Sequence, residues 1–392
     1  MINSFKENKY MIRLNYYYTL VFLLVLNDTA YKSQVLNSYA RKFQMIFLAA
    51  ELLLLVMAII TDKKMSLKKI CMLAFTGLIG IYIYLTIGDT LFFFTAMLFI
   101  ISDSKDCKKI AKIFFCIITS IFVFNLLCTL YYAAFDPSEI YSRISPLAAR
   151  RQYDLACGGH PNSAACLFVS ISILAAYIYW DKLNIKSWIL GFAVTGIIYY
   201  FVCSDALIIV PVLFAFWLLR KNKRFEKIIN FVIRYGIIMM LILSLIYVFA
   251  SKVPFLKGVA ELLNSFASGR FALSAEALEI YDITLFGANV EFGMIGDSLH
   301  LNFVYVDNVY VLMLIKHGIV FLILYQLVLF FASKKIDYKS STIVIAWLLY
   351  GLAEASAVSY VMIFPILNAA ISIYKESKKT HSNKFKKLKI KI

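Results

Sequence analysis

The sequence predicts an all-α fold: a polytopic integral membrane protein with about twelve transmembrane helices and a helical outer loop. Three observations predict it: the composition, the lengths of the apolar runs, and the placement of lysine and arginine. Of 392 residues, 62% are hydrophobic and 16% charged, against about 45–50% and 25% in soluble domains. A water-soluble fold of this size cannot hide so much apolar surface, which excludes an ordinary cytosolic enzyme.

The apolar runs have the length a bilayer demands, about 17–25 residues per helix. They lie near 14–30, 43–60, 69–87, 88–102, 111–134, 163–180, 186–203, 205–220, 228–250, 308–332, 341–355 and 357–374. The stretch from Trp188 to Leu219 is too long for one span, and Cys203-Ser204-Asp205 divides it into a hairpin. Spans 88–102 and 205–220 are short and carry Asp89 and Asp205 at one end. The basic N-terminus, MINSFKENKYMIR, lacks a small-residue cleavage signature and leads into an uncleaved first span. The chain reads as one polytopic domain, 1–392, with a long extracytoplasmic loop at 251–307 and a basic cytoplasmic tail at 375–392.

Charge tests the count. A net charge of +17 taken alone suggests nucleic acid. With the N-terminus inside, 29 of the 40 Lys+Arg fall in inner segments and nine in outer ones, with Arg234 and Lys316 within spans. That bias supports twelve spans with both termini cytoplasmic. The tail reads as an anchor to inner-leaflet lipids. Basic runs without aromatic interleaving or a recognition fold give no reason to expect a nucleic-acid partner. Seven cysteines, at 71, 107, 116, 128, 157, 166 and 203, form no CxxC. They predict neither a disulfide framework nor a zinc site, and Cys157 reads as small apolar filler.

Polar residues gather on the outer side, where two segments are long: Phe135–Asn162 and Ser251–Asp307. The second is rich in Phe, Leu, Ile and Val and is expected to fold against the membrane face as two amphipathic helices. Leu256, Val259, Leu263 and Phe266 make the apolar face of one; Leu273, Ala277 and Ile280 make that of the other. Ser268 is placed to cap the second helix, which sets Arg270 in its first turn. That end of a helix disfavours a cation unless an anion comes to meet it. Free N–H groups beside a guanidinium make a phosphate site; the alternative is a plain surface arginine.

The first outer segment holds Arg143, Arg150 and Arg151, followed by CGGHPN. His160 stands at the outer mouth of the sixth span as a general base, a diphosphate donor or, more simply, a structural cap. Asn162 or Ser163 would cap that span. Asp307-Asn308 opens the tenth span, as an N-cap pair or as site residues. Glu354, near the outer end of the eleventh, is a functional candidate as an intramembrane carboxylate. Glu51 lies mid-span with no evident partner, Arg234 can snorkel, and Lys316 with His317 marks a candidate polar face of the tenth span. There is no GxxxxGK[ST], GxGxxG after a strand, HExxH or GxSxG, so nothing predicts nucleotide binding. A lipid-borne phosphate donor at the outer face fits better.

Taken together, these features resemble the Wzy-type polysaccharide polymerases, the repeat-unit polymerases of O-antigen, capsule and exopolysaccharide synthesis. The likeness covers nearly the whole chain in span count, tyrosine and phenylalanine richness and the long late outer loop. Its local matches are GGHPN at 158–162, SGR at 268–270 with LFG at 285–287, DNVYVLMLIKHG at 307–318, and GLAE at 351–354 with Asn368 further on. The chain departs from the family in LFGANVEFG, where relatives often read LGxG, and in 271–281, which lacks a tryptophan.

The resemblance implies a membrane glycosyltransferase fold (GT-C-like), shared with O-antigen ligases, without metal or cofactor. It implies inverting transfer of a growing glycan from its undecaprenyl diphosphate to a hydroxyl of an incoming lipid-linked oligosaccharide. The place would be the outer face of the bacterial cytoplasmic membrane, with a chain-length regulator protein as a further partner. A leaving diphosphate without a metal needs cations: Arg270 foremost, then Arg150, Arg151 and Arg143. His160, Asp307 and Glu354 compete to deprotonate or orient the acceptor hydroxyl, and Asn162, Ser268 and Asn308 would position substrate. The rivals are a ligase of the same fold and a lipid-linked sugar flippase. Transporters favour internal repeats and broken midplane helices, and the sequence has no clear repeat.

Overall fold

The computed structural model describes every residue except Met1, 62–65, 103–105, 140–141, 145–150, 159, 267–268, 291–292, 296–301 and 375–392. For 2–15, 139, 142–144, 151, 263, 266, 293–295 and 302–304 the backbone alone is described. The basic tail, Arg150, Ser268 and His300 thus lie outside the described residues, as do the side chains of Arg143 and Arg151.

The described chain runs through sixteen α-helices. The first eight are α1 (Ile2–Tyr31), α2 (Asn37–Lys42), α3 (Gln44–Ile60), α4 (Leu67–Ile87), α5 (Leu91–Ile100), α6 (Cys107–Phe135), α7 (Pro161–Tyr179) and α8 (Ile185–Val202). The rest are α9 (Ile209–Leu218), α10 (Lys223–Lys252), α11 (Lys257–Phe266), α12 (Arg270–Ile280), α13 (Val309–Leu312), α14 (Gly318–Ala332), α15 (Tyr338–Ala353) and α16 (Phe364–Ile373). Two antiparallel hairpins interrupt the outer segments: β1 (Ser142–Ile144) with β2 (Arg151–Tyr153), and β3 (Gly293–Ile295) with β4 (Asn302–Val304).

The protein is helical and membrane-embedded. Among the described residues six helices are long and apolar enough to cross a bilayer: Leu67–Ile87, Cys107–Phe135, Pro161–Lys182, Ile185–Val202, Lys223–Lys252 and Val309–Ala332. Burial separates core from perimeter. Pro161–Lys182 and Val309–Ala332 are 72% and 67% buried, whereas Leu67–Ile87 and Ile185–Val202 are 17% and 22%. The perimeter helices turn Phe75, Leu78, Ile189 and Leu190 outward, as a lipid-facing surface requires. Helix starts follow local chemistry. Five helices expected to begin at the inner face, α4, α6, α8, α10 and α15, begin on Ser66, Asp106, Asn184, Asn222 and Asp337. Each of these side chains accepts a first-turn backbone N–H and satisfies a donor the helix leaves orphaned.

Three expected spans are shorter than a bilayer. Helices α5, α9 and α16 have ten residues each, about 15 Å of rise against a hydrocarbon core of about 30 Å. Local residues cause this. Asp89 starts α5 late by accepting from the Leu91 N–H at 2.7 Å. Tight helical turns at Asp205–Ile208 and Ala355–Val358 take up the first residues of the other two spans. The expected amphipathic faces also shift. In α12 the buried residues are Arg270, Phe271, Ser274 and Ala277, while Ile280 is exposed, because Phe271 stacks on Tyr247 of α10. In α11, Val259 is exposed and Ala260 is buried.

The first outer segment folds back onto the core. Leu155 and Ala156 hold left-handed backbone (φ 52° and 53°), a cost non-glycine residues bear when their surroundings over-determine it. Buried Asp154 accepts from the Ala156 N–H at 3.1 Å, and the Ala156 carbonyl accepts from the Gln34 N–H at 2.9 Å. Cys157 follows, fully buried, with its sulfur accepting from Asn125 Nδ2 and donating to the Leu155 carbonyl, both at 3.3 Å. Burial pushes its thiol pKa up to about 12. In a variant keeping Cys157 as its single cysteine, the thiolate fraction at pH 8 should be about one in ten thousand. Maleimide should leave the native protein unlabelled over an hour and label it fully in SDS; rapid native labelling at pH 8 would contradict this packing.

Candidate functional site

Three residues from three elements meet at the end of the helices expected to face outward. Arg270 is the first residue of α12, Asp307 immediately precedes the cap of α13, and Glu354 ends α15. Arg270 Nε donates to Asp307 Oδ2 at 3.2 Å, and Nη2 donates to Glu354 Oε1 at 2.9 Å. All three are buried, at 8%, 9% and 4% exposure. Burial works against the guanidinium charge, but Glu354 and then Asp307 outweigh it and hold the Arg270 pKa above its ordinary value, with Asp205 adding to the effect. The anion expected at this helix start is therefore supplied by the protein itself. The ionised triad carries one net negative charge, and neither hydrogen bond uses Arg270 Nη1.

Local sequence explains how each member is placed. Gly269, with φ +85°, takes the N-cap position of α12, where a left-handed residue was needed. The expected cap, Ser268, lies outside the described residues. Asn264 at the end of α11 caps instead, its Oδ1 accepting from the Ala272 N–H at 3.0 Å. Asn308 is the N-cap of α13, accepting from the Tyr310 and Val311 N–H groups at 3.0 and 3.2 Å. Its Nδ2 donates to Ser244 of α10 at 2.8 Å and toward the Leu352 carbonyl at 3.5 Å. That side chain is fully buried and committed to joining three helices. Gly351 lets α13 approach α15, since a Cβ there would stand 2.5 Å from Val309 Cγ1. Glu354 and Asp307 are thereby brought to the same guanidinium.

The tenth expected span is not continuous. It runs as α13, a wide π-type turn over Met313–His317, and a break at Gly318 before α14. The outer-loop segment 284–288 enters the break. Ala288 N–H donates to the Ile315 carbonyl at 3.0 Å, and Ile319 and Val320 donate to the Thr284 and Leu285 carbonyls at 3.1 and 3.0 Å. These bonds satisfy backbone groups that a broken helix would otherwise leave exposed at membrane depth. The contact needs glycine on both sides. A Cβ on Gly287 would lie 2.0 Å from the Lys316 carbonyl oxygen, and one on Gly318 would lie 2.3 Å from Gly287 N; both residues have positive φ. Beside the break, Asp89 Oδ2 faces Lys316 Nζ at 3.6 Å and His317 Nδ1 at 3.7 Å. Lys316 and His317 thus form a polar face, whose partner Asp89 lies 227 residues before Lys316 in sequence.

The remaining candidates are dispersed. His160 is the N-cap of α7, its Nδ1 accepting from the Asn162 N–H at 3.2 Å. The register of the first hairpin sets Arg143 opposite Gln152 and Arg151 opposite Ile144. Gln152 Nε2 donates to the Cys203 carbonyl at 3.0 Å, two residues before Asp205. The arginine-bearing hairpin is therefore tied to the same turn that carries Arg270's third carboxylate neighbour. Asn368 is fully buried within α16 and accepts from Tyr177 at 3.4 Å. Among the described residues no three His, Cys, Asp or Glu side chains gather to hold a metal ion.

Sequence reading missed Asp205, Asp89 and Ser244 as site residues. Each stood next to a helix break or inside an apolar run, where the local signal is a cap or a spacer. The clasp at the break yields a direct expectation. Gly318→Ala should destabilise the protein by more than about 2 kcal/mol, through left-handed strain plus the clash. The control is Gly191→Ala, which meets nothing within 4 Å and should leave thermal unfolding in detergent unchanged or raised. Equal unfolding temperatures for the two variants would contradict the clasp. The chain matches no protein-family model, no curated protein and no solved structure.

Proposed function

We propose that this protein is a glycan polymerase of the Wzy-like kind, joining polyprenyl-diphosphate-linked oligosaccharides at the outer face of a bacterial cytoplasmic membrane. In this reading the chain crosses twelve times with both termini inside, and the short helices α5, α9 and α16 are the returning spans that follow α4, α8 and α15. The single observation that carries the proposal is the buried triad of Arg270, Asp307 and Glu354. Buried ion clusters are weak devices for stability, since apolar replacements often serve as well, and they concentrate at functional sites.

The triad divides the chemistry. Arg270 pairs with both carboxylates and orients them, so that Asp307 or Glu354 accepts a hydrogen bond from the acceptor hydroxyl and takes its proton as the new glycosidic bond forms. The same guanidinium offers Nη1 to a phosphate oxygen of the leaving diphosphate. One N–H cannot balance a diphosphate beside two carboxylates, so Arg143, Arg150 and Arg151 of the first outer segment supply the remaining positive charge. His160 holds the start of α7, and Asn308 holds the helices rather than substrate.

A second reading has a specific observation behind it. The break at Gly318, with Asp89, Lys316 and His317 beside it, is the kind of interrupted helix transporters use. Proteoliposomes separate the two. Given the lipid-diphosphate repeat unit of the source cell, without nucleotide or divalent metal, a polymerase lengthens the glycan; a flippase moves the unit across the bilayer and lengthens nothing. We expect longer glycan, and at least tenfold less from Arg270→Lys, because an ammonium cannot hold two carboxylates and a phosphate in one plane. Absence of longer glycan with every cognate unit, or normal yield from Arg270→Lys, would overturn the proposal.

A further inference from the structure

A second polar site lies away from the triad. The last turn of α1, the first turns of α3, the α4–α5 turn and Tyr360 enclose a cavity of about 230 Å³. At roughly 30 Å³ per water, that is space for seven or eight waters, and it falls below the roughly 300 Å³ at which drug-sized ligand sites begin. It therefore suits one small ring. Exposed Gln44, Met45 and Tyr84 form its rim, so it opens to the outside of the molecule.

The lining is rich in acceptors that lack donors. Glu51 is 4% exposed and receives one long hydrogen bond, 3.4 Å from Asn27 Nδ2. Asn27 Oδ1 is buried without a partner. A carboxylate and an amide oxygen in this state call for a ligand that brings hydroxyl donors. Asp28 does not compete for the ligand. It holds the wall, accepting from the Val361 N–H at 2.8 Å and pairing with Lys32 at 3.5 Å. Among the described residues no cation lines the cavity, which disfavours a phosphate. Tyr31, Tyr84 and Tyr360 add flat apolar faces with polar edges.

The cavity is within reach of the triad. Tyr360 follows Glu354 by six residues, so their Cα atoms are at most about 20 Å apart. The turn between them is pinned: Trp347 Nε1 donates to the Ala357 carbonyl at 2.8 Å, and Tyr360 donates to the Thr90 carbonyl at 3.4 Å.

We propose that this cavity is a saccharide subsite that takes one neutral sugar ring, with Glu51 and Asn27 accepting its hydroxyls. The inference deepens the polymerase reading and rests on it for the source of the sugar, a unit of the lipid-linked glycan; the binding itself can be measured without any polymerisation. The test is saturation-transfer NMR on the full chain in lipid nanodiscs. The probes are glucose, galactose, rhamnose and N-acetylglucosamine, with glucose 1-phosphate and glucosamine as charged controls. We expect at least one neutral sugar to give signal in the wild type. Leu48→Trp, which fills the cavity, should reduce that signal at least tenfold, and Glu51→Gln, which keeps the volume, at least threefold. If Leu48→Trp does not fold, Glu51→Gln decides alone. No binding by any neutral sugar, unchanged binding in the folded variants, or preferential binding of either charged control would overturn the subsite. Binding here by a chain that lengthens no glycan would instead count against the polymerase reading alone.

Discussion

A guanidinium clamped between two carboxylates and withdrawn from water is the interaction on which this end of the helix assembly depends. Arg270, Asp307 and Glu354 belong to an outer-loop helix, a span entrance and a span exit, separated by 37 and 84 residues from the arginine. Their burial is costly for each charge alone and tolerable together. Removing one member strands the others, a loss of about 3–5 kcal/mol for a buried pair. The clamp therefore fixes where the loop sits against the helices.

The second fastening is of a different kind. Where Gly287 meets Gly318, the loop joins the interrupted helix through backbone alone, and the wide turn at 313–317 finds its partners in residues 284–288. Between Arg270 and Gly287 the described part of the late loop is thus fastened to the helices at both ends. On the proposed function, such placement would serve a transfer between two bulky lipid-linked molecules, where most of the barrier can be met by orientation and by charges already in position. The cavity beside Glu51 extends this arrangement to the other side of the Glu354–Tyr360 turn.

Much of this was legible in the sequence, residue by residue. The apolar runs fell on helices, the caps at Asp106, Asn222 and Asp337 were ordinary local signals, and Arg270 at a helix start, Asp307 at a span entrance and Glu354 inside a span were each visible as candidates. What could not be read was that they are one site. Pairings across tens of residues leave no mark on local pattern, so three separate oddities looked like a phosphate ligand, a cap and a lone carboxylate. The break at Gly318 was hidden for the opposite reason. VYVLMLI and IVFL are apolar on either side of Lys316-His317-Gly318, and averaged hydropathy reads the stretch as continuous. Ser268 was the expected cap, and the structure sets left-handed Gly269 there instead. Glu51 was visible as a charge inside a span, but its cavity is built by α1, α4 and a turn more than 300 residues away.

The most direct test of this account is a double-mutant cycle between Arg270 and Glu354. Unfolding free energies would be measured in detergent for the wild type, Arg270→Met, Glu354→Gln and the double variant. The account predicts a coupling of about 2 kcal/mol or more between the two sites, with the double variant recovering part of the loss caused by Arg270→Met. Additive effects, with a coupling within about 0.5 kcal/mol of zero, would contradict the clamp and remove the basis for the site.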